Sequence, residues 1–581
     1  MRSCAGSSPT AAAGVTRGHR REQLSNRRGL APVRSIAGPS FESIDSDDFL
    51  SPVTTLERDQ VTKLVAQVSE KDGKVLHPDL LNPRLLEAQY AVRGELYLRA
   101  EELKKTKEII YTNVGNPQAL GAKPLTFVRQ VIALCAAPFL LDDPNTPLLF
   151  PADAIERAKK IIASFGTGGV GGYTDSRGNP MIREEVADFI QARDGHRPST
   201  EHIYLTDGAS AGVRNVLQSI IRNEADAVLV PIPQYPLYSA SIALYGGKLL
   251  PYELDEASGW GLDLDALTRT VAAARAEGYS VRALVFINPG NPTGQCLPGE
   301  EVARLVEWCA QQRVVLLSDE VYQELVYRKD RPFTSAYKAL MESKYAQTAE
   351  LISFHSVSKG TSGECGLRGG YHVFSNIHPD TVAQFYKLSS IGLCPNTIGQ
   401  VVVSTLCNPP QPGDPSYELF AKERADELAS LSRRAALVSG AFNSLPNMSV
   451  VPTEAAMYAF PQLASLSRRA ALVSGAFNSL PNMSVVPTEA AMYAFPQVHM
   501  PLGALAAAEA AGKKPDVFYC LAMLEEAGIC TIPGSGFGQA AGSQHFRTTF
   551  LPREEVMEGF VQKFKAFHIN FMEKFGPKKK Q

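Results

Sequence analysis

The segment LISFHSVSKG, residues 351–360, decides the fold. An apolar run of strand length is followed at once by the hydroxyls of Ser356 and Ser358 and by Lys359, and Arg368 comes nine residues later among glycines. This set suits a ligand with both an aldehyde and a phosphate, because an amine condenses with the aldehyde while hydroxyls and a guanidinium hold the phosphate. An isolated lysine after a strand is more often a surface side chain, so the surrounding sequence has to decide.

Short apolar runs alternate with amphipathic stretches from about residue 155 to residue 405. The strand-like runs are 202–205, 227–230, 284–287, 314–317 and 351–354, and helical spacing appears at 213–221 and 300–311. This alternation predicts a largely parallel sheet with helices on both faces. In such sheets the ligand lies at the carboxyl ends of the strands, which is where Lys359 stands.

Two further motifs follow strand-like runs. Residues 288–294, NPGNPTG, contain two Asn-Pro steps, which is typical of a turn or of a fixed, possibly cis, peptide that directs the amide of Asn291 at a ligand. Residues 316–322, LLSDEVY, place Asp319 at the end of a run with Tyr322 three residues later. A carboxylate in that position is either a helix cap or a ligand-binding group.

Composition excludes several classes of protein. The formal net charge of -2 offers no field for nucleic acid or an anionic membrane. The nine cysteines are scattered without metal-ligand spacing, which indicates reduced thiols and no metal site. No apolar run reaches 18 residues, so we expect no membrane span.

The first forty residues differ from the rest. They contain seven arginines and six serines but one acid, Glu22, which is typical of an organelle transit peptide. We therefore expect residues 1–45 to be a transit peptide directed to mitochondria, with plastid or cytoplasmic location as alternatives. A disordered basic tail is the other interpretation.

Residues 428–462 recur without a difference as residues 463–497. Each copy is predicted to form one helix followed by two extended segments. In the first copy these segments lie around residues 448–451 and 457–460. Solenoid arrays need about three units or more, so two identical copies indicate a recent duplication or an assembly error. We expect one copy to fill its place in a domain and the other to be extruded, and the sequence does not decide which.

The three motifs, in this order and spacing, resemble those of the fold-type I aminotransferases. The resemblance implies an α/β fold with a mostly parallel seven-stranded sheet sandwiched by helices, a smaller α/β domain, and pyridoxal 5'-phosphate as cofactor. Lys359 matches the lysine that carries the cofactor as a Schiff base and then moves a proton. Asp319 matches the acid at the pyridine nitrogen, and Tyr322 and Asn291 match the pair at the ring's 3-oxygen.

The same resemblance implies the residues that hold the cofactor's phosphate. Ser356, Ser358 and Arg368 match the family's phosphate grip. Ala209 and Ser210 stand between a strand and a helix, where backbone amides also bind phosphate.

Four more residues match family positions. Tyr235 matches the aromatic side chain that stacks on the pyridine ring, and Tyr173 matches the tyrosine that reaches the neighbouring subunit's phosphate. The latter implies a homodimer with a shared active site. Arg547 matches the arginine that binds the substrate carboxylate, for which a two-donor fork is suited. Gly115 matches the small residue that lets the amino-terminal arm close over substrate.

Long phrases, among them residues 363–366 (GECG) and 516–521 (DVFYCL), resemble the alanine aminotransferase branch. The resemblance implies transfer of the amino group from L-alanine to 2-oxoglutarate, so the partners are small amino acids and 2-oxo acids. Glutamate:glyoxylate aminotransferase is the nearest alternative. A lyase with the same lysine and aspartate motifs is another, and so is a cofactor-binding protein impaired by the duplication.

The predicted domains follow this reading. Residues 46–154 form the amino-terminal arm and part of the small domain, residues 155–405 the large cofactor-binding domain, and residues 406–581 the carboxyl-terminal small domain with the repeat.

Overall fold

The computed structural model describes residues 81–88, 95–113, 115–445, 448–463, 500–537, 544, 546–549 and 554–576. The predicted transit peptide and all but the first residue of the second repeat copy lie outside these residues. No helix in the described ranges is both long and apolar enough to cross a membrane.

An eight-stranded sheet forms the centre of the larger part of the molecule. Its spatial order is β2-β9-β8-β7-β6-β3-β4-β5. Neighbours from β8 through β4 are parallel, whereas the pairs β8/β9, β2/β9 and β4/β5 are antiparallel. The strands of this sheet are β2 (Ile203–Thr206), β3 (Asp226–Ile232), β4 (Lys248–Asp255), β5 (Gly261–Leu262), β6 (Ser280–Ile287), β7 (Val315–Asp319), β8 (Leu351–Ser356) and β9 (Gly370–Ser375). The short strand β1 (Ile110–Tyr111) lies outside it and pairs with Ile529 and Cys530.

This architecture confirms the predicted fold class. The strands predicted at 202–205, 227–230, 284–287, 314–317 and 351–354 are β2, β3, β6, β7 and β8. The expected number of strands was seven, and the eighth is the two-residue β5 at the edge, which is too short for a periodic pattern to reveal.

Helices cover both faces of the sheet. One face packs against side chains of α7, α8 and α12, and the other against α3, α5, α6, α9, α10, α11 and α13. Their bounds are α1 (Pro83–Glu87), α2 (Glu95–Leu103), α3 (Thr126–Ala136), α4 (Thr146–Leu149), α5 (Ala152–Ser164), α6 (Pro180–Asp194), α7 (Ala209–Ile220), α8 (Leu237–Tyr245), α9 (Leu264–Ala276), α10 (Gly299–Gln312), α11 (Ala336–Met341), α12 (Pro379–Ile391) and α13 (Thr397–Cys407).

The central strands are buried on both faces, which is why they read as continuous apolar runs. Strands β6, β7 and β8 run parallel in register, with Ile287 beside Asp319 and Asp319 beside Phe354. Their carboxyl ends therefore lie at one edge of the sheet, and Asn291, Asp319 and Lys359 all follow these ends.

A second core lies apart from the sheet. Buried side chains from the carboxyl-terminal part, such as Phe442, Tyr519 and Phe564, pack together in it. It contains α14 (Tyr417–Asn443), β10 (Met448–Ser449), β11 (Tyr458–Ala459), β12 (Gln462–Leu463), α15 (Leu502–Ala510), α16 (Pro515–Ala527), β13 (Ile529–Cys530), β14 (Ile532–Pro533), β15 (Phe546–Thr549) and α17 (Glu554–Phe575).

The first repeat copy is built into this second core. Its helix and two extended segments are present as predicted, in α14, β10 and β11. Helix α14 runs without a break across the junction at residue 428, and Arg434 inside the copy pairs with Glu427 outside it at 3.1 Å. Leu431, Phe442 and Tyr458 of the first copy are among the buried side chains of the second core, so this copy is part of that core.

The packing bears on the predicted domain limits, which stay a prediction. Helix α3, expected among the arm and small-domain residues, contributes Phe127, Val128 and Val131 to the core beneath the sheet. Conversely, Tyr322 and Leu325, which fall within the predicted large domain, pack with the second core.

Candidate active site

Lys359 lies in the turn that follows β8. Its Nζ donates a hydrogen bond to the carbonyl oxygen of Gly115 at 2.7 Å. Burial alone would lower the pKa of this amine, but the neighbouring Tyr458 hydroxyl, aided by the Cys365 thiol, outweighs burial and raises the pKa above its usual range. Lys359 is thus half-buried and lies between Gly115 and Tyr458.

Asp319 ends β7 and is buried. Burial raises the pKa of its carboxyl group to about 6, although a hydrogen bond from the Tyr238 hydroxyl to Oδ2 at 2.8 Å and one from the Val321 amide act in the opposite direction. Such a carboxylate favours a cationic partner, which would restore its charged form. Tyr238 was not predicted from the sequence. It lies at the start of α8, three residues after the predicted Tyr235, and this spacing was the available signal.

Arg368 lies beside the start of α7. The backbone of Arg368 has a positive φ of 54°. Its guanidinium donates hydrogen bonds to Ser358 Oγ at 3.3 Å and to the carbonyl oxygens of Cys365 and Asp207 at 2.9 and 3.0 Å. The same guanidinium lies against Gly208, where an added Cβ would come within 2.4 Å of Nη2. The approach therefore requires glycine at residue 208.

Helix α7 begins at Ala209 directly beside this guanidinium, and no side chain caps its first turn. Uncapped amides and the positive end of a helix dipole bind phosphate. The Ser356 hydroxyl, which also lines the cavity, donates to the Gly369 carbonyl at 3.1 Å and accepts from the Ser358 amide at 3.0 Å. Its present contacts order the turn that carries Lys359.

The loop between Lys359 and Arg368 is held in place by an ion pair with Arg129, a residue outside the loop. Glu364 is buried and accepts two hydrogen bonds of 2.8 Å from Arg129 on α3. Such a bidentate pair is geometrically specific. The 363–366 phrase therefore anchors the lysine loop to the helical layer beneath the sheet.

Arg547 lies on β15 and is almost fully buried. It donates to Asn291 Oδ1 at 3.2 Å and to the Asn113 carbonyl at 2.6 Å, and Asn291 in turn donates to the Tyr322 hydroxyl at 3.4 Å. Both predicted Asn-Pro peptides, 288–289 and 291–292, are cis. A series of hydrogen bonds thus runs from Arg547 through Asn291 to Tyr322. It links the arginine on β15 to the strand ends of the sheet.

One cavity of about 460 Å³ unites these groups. Eleven predicted residues line it, namely Gly115, Ala209, Ser210, Tyr235, Asn291, Asp319, Tyr322, Ser356, Ser358, Lys359 and Arg368. Sequence reasoning missed Asn116, Leu237, Ile287, Val321, Cys365, Gly366 and Tyr458, which also line it.

Two predicted residues do not line the cavity. Arg547 contacts Asn291 and the ring of Tyr458 from behind its wall. Tyr173 is 79% exposed, so it takes no part in this chain's own site. Its predicted role with a neighbouring subunit stays a prediction.

The residues present fit a ligand with an anionic end, a planar cationic ring and an aldehyde. Arg368, Ser358 and the start of α7 suit the anion, whereas buried Asp319 suits a protonated ring nitrogen. The amine of Lys359 stands in the same cavity. Pyridoxal phosphate has these three features.

Comparisons with known proteins agree with this geometry. A family model described as aminotransferase class I and II matches residues 129–564. Glutamate–glyoxylate aminotransferase 1 of Arabidopsis thaliana is 52% identical over 505 residues, covering 86% of this chain and 98% of that protein. A probable mitochondrial alanine aminotransferase of Dictyostelium discoideum is 46% identical over 505 residues, covering 84% and 88%. Among solved structures, an alanine aminotransferase from Pyrococcus furiosus has a TM-score of 0.63 at 21% identity, covering 84% of this chain and all of that one, which shows the shared fold.

Proposed function

The chain belongs to the aminotransferase class I and II family, and we propose that it transfers the amino group of L-alanine to 2-oxoglutarate with pyridoxal phosphate as cofactor. The products are pyruvate and L-glutamate, formed in two half-reactions by ping-pong kinetics. The observation that carries the proposal is that Lys359, Asp319 and Arg368 share one cavity.

Each of the chain's own groups would have a separate role. Arg368, Ser358 and the amides that begin α7 would bind the cofactor's phosphate, Tyr235 would pack against its ring, and Asp319 would hold a proton on the ring nitrogen. The cofactor supplies an electron sink for the charge that develops at the substrate α-carbon.

Lys359 would be the group that moves the proton. The neutral amine of Lys359 would take the proton from the substrate α-carbon as general base, which requires that its ammonium first lose a proton. Arg547 and Asn291 would bind the substrate carboxylate. Burial of Arg547 keeps water away from its guanidinium, which strengthens its charged contacts.

Asp319→Ala tests the mechanism. We expect the rate to fall by about 10²-fold or more, while the cofactor is still retained through its phosphate contacts. Activity is followed by pyruvate formation and retention by cofactor absorbance after gel filtration. Asp380→Ala, an exposed acid at the start of α12, is the matched control and should behave as wild type. Wild-type activity in Asp319→Ala would contradict the assignment.

Transfer from glutamate to glyoxylate is the second candidate. It is favoured by the higher identity to the Arabidopsis relative of that name, 52% against 46% for the Dictyostelium protein. Purified protein given glutamate with either pyruvate or glyoxylate discriminates the two, since the larger kcat/KM identifies the physiological 2-oxo acid.

The third candidate is a cofactor-binding protein impaired by the duplication. The position of the first copy argues against it, because this copy packs in the second core and supplies Tyr458 to the cavity. Cofactor absorbance without turnover by any amino acid would support impairment instead.

The homodimer is also proposed, on the exposure of Tyr173. If the active site is shared, Lys359→Ala and Tyr173→Phe chains are each weakened. Co-refolding them gives mixed dimers in which one site has both native residues, so activity rises. Independent subunits would give no gain over the separate variants.

For residues 1–45 we propose a mitochondrial transit peptide, in line with the mitochondrial relative. Imaging a fluorescent fusion with and without these residues tests it. A signal in plastids or cytoplasm in the presence of the segment would overturn it.

A further inference from the structure

Tyr458 is a cavity residue that belongs to the first copy of the repeat. It lies on β11 and is 3% exposed. Strand β11 pairs antiparallel with β15, with Tyr458 opposite Thr549. Arg547 stands two residues from Thr549 on β15, so its side chain points to the same face of the pair as that of Tyr458.

The hydroxyl of Tyr458 lies at Lys359. The amine of Lys359 donates to the Gly115 carbonyl at 2.7 Å, and the neighbouring Tyr458 hydroxyl raises the pKa of this amine. An added Cβ on Gly115 would stand 1.7 Å from the Tyr458 hydroxyl and 3.0 Å from Lys359 Nζ. The hydroxyl and the amine therefore meet directly over the α-carbon of Gly115.

The aromatic ring of Tyr458 lies against a different group, the guanidinium of Arg547. The guanidinium carbon of Arg547 is 4.4 Å from the ring centroid, within the range of a cation–π contact. The ring also meets that of Tyr322 edge to face, with centroids 6.3 Å apart. One side chain thus touches both the amine and the guanidinium.

We propose that Tyr458 is a positioning residue that sets the Lys359 amine and the Arg547 guanidinium relative to each other, through its hydroxyl and its ring respectively. The inference deepens the proposed function and rests on it. A substrate held by its carboxylate at Arg547 must present its α-carbon to Lys359, so the separation of these two groups decides whether the proton can be transferred. A misplacement of about 1 Å costs about 10²-fold in rate.

Two variants separate the two contacts. Tyr458→Phe removes the hydroxyl and keeps the ring, so kcat should fall about 10- to 100-fold while KM changes little. Tyr458→Leu also removes the ring, so KM for both amino and 2-oxo acids should rise in addition, by about tenfold. A merely structural tyrosine would lower thermal stability without this split between kcat and KM.

A second readout does not depend on turnover. In the full-length chain freed of cofactor, trinitrobenzenesulfonate modifies Lys359 only as the free amine, and peptide mass spectrometry follows the rate against pH. The Tyr458 hydroxyl stabilises the ammonium, so Tyr458→Phe should lower the pKa of Lys359 and speed its modification at pH 8 to 9. An unchanged profile overturns the proposal.

The repeat provides a matched control. Tyr493 is the counterpart of Tyr458 in the second copy, within an identical sequence. Tyr493→Phe should leave kcat, KM and the Lys359 profile as in wild type. An effect of Tyr493→Phe in place of Tyr458→Phe would overturn the assignment to Tyr458.

The test also distinguishes the two levels of the argument. If wild-type protein with pyridoxal phosphate transfers no amino group, the proposed function fails, and the Lys359 modification profile still decides the contact with Tyr458. If wild type is active and both Tyr458 variants match it in kcat, KM and profile, this inference alone fails.

Discussion

Gly115→Ala is the sharpest test of the site geometry. An added Cβ would stand 1.7 Å from the Tyr458 hydroxyl oxygen, whereas ordinary contact begins at 3.4 Å. The hydroxyl must therefore retreat by about 1.7 Å, which changes its position relative to the Lys359 amine. The Lys359 amine lies 3.0 Å from the same Cβ, so it too must shift by a few tenths of an ångström.

We expect kcat/KM to fall by about 10²-fold in this variant, the cost of a displacement of this size at a reacting group. Overpacking should lower the free energy of unfolding by about 1–3 kcal/mol. Steady-state kinetics with alanine and 2-oxoglutarate measure the first quantity and urea denaturation the second.

Gly440→Ala is the matched control for this substitution. Gly440 lies in α14, where an added Cβ meets nothing within 4 Å. Activity should be unchanged, and stability should rise by up to about 1 kcal/mol because alanine favours the helix. Wild-type kinetics in Gly115→Ala would show that Tyr458 does not lie over residue 115, and the reasoning about the site would be refuted.

Three further results are expected. Tyr238→Phe removes a hydrogen bond that lowers the pKa of Asp319, so the pKa rises and kcat/KM falls about tenfold, most at acidic pH, in a pH–rate profile; a flat ratio to wild type would contradict this. The Arg222 guanidinium holds the pKa of Asp226 well below its usual range. Its stabilisation is full above pH 4 and is lost as pH falls, so Asp226→Asn should lower the urea midpoint at pH 7 and less at pH 3; equal losses would argue against it. Deleting residues 463–497 should preserve activity and raise the free energy of unfolding by up to about 2 kcal/mol, because a long connection is shortened; an inactive product would mean that the second copy is needed.

The sequence alone determined the fold class and most of the cavity. Lys359, Asp319 and Asn291 each follow a buried strand within a few residues, and the carboxyl ends of neighbouring parallel strands meet at one edge. Their proximity therefore follows from local patterns and one rule of topology. The helix and the extended segments of the repeat could also be predicted, because their periodicity lies within the segment itself.

Tertiary structure decided the contacts between distant parts of the chain. The meeting of Tyr458, Gly115 and Lys359 joins β11, the amino-terminal arm and the turn after β8, and no spacing in the sequence encodes it. The place of the first repeat copy is of the same kind. Its local propensities predict a helix and extended segments, but only its packing in the second core brings Tyr458 beside Lys359.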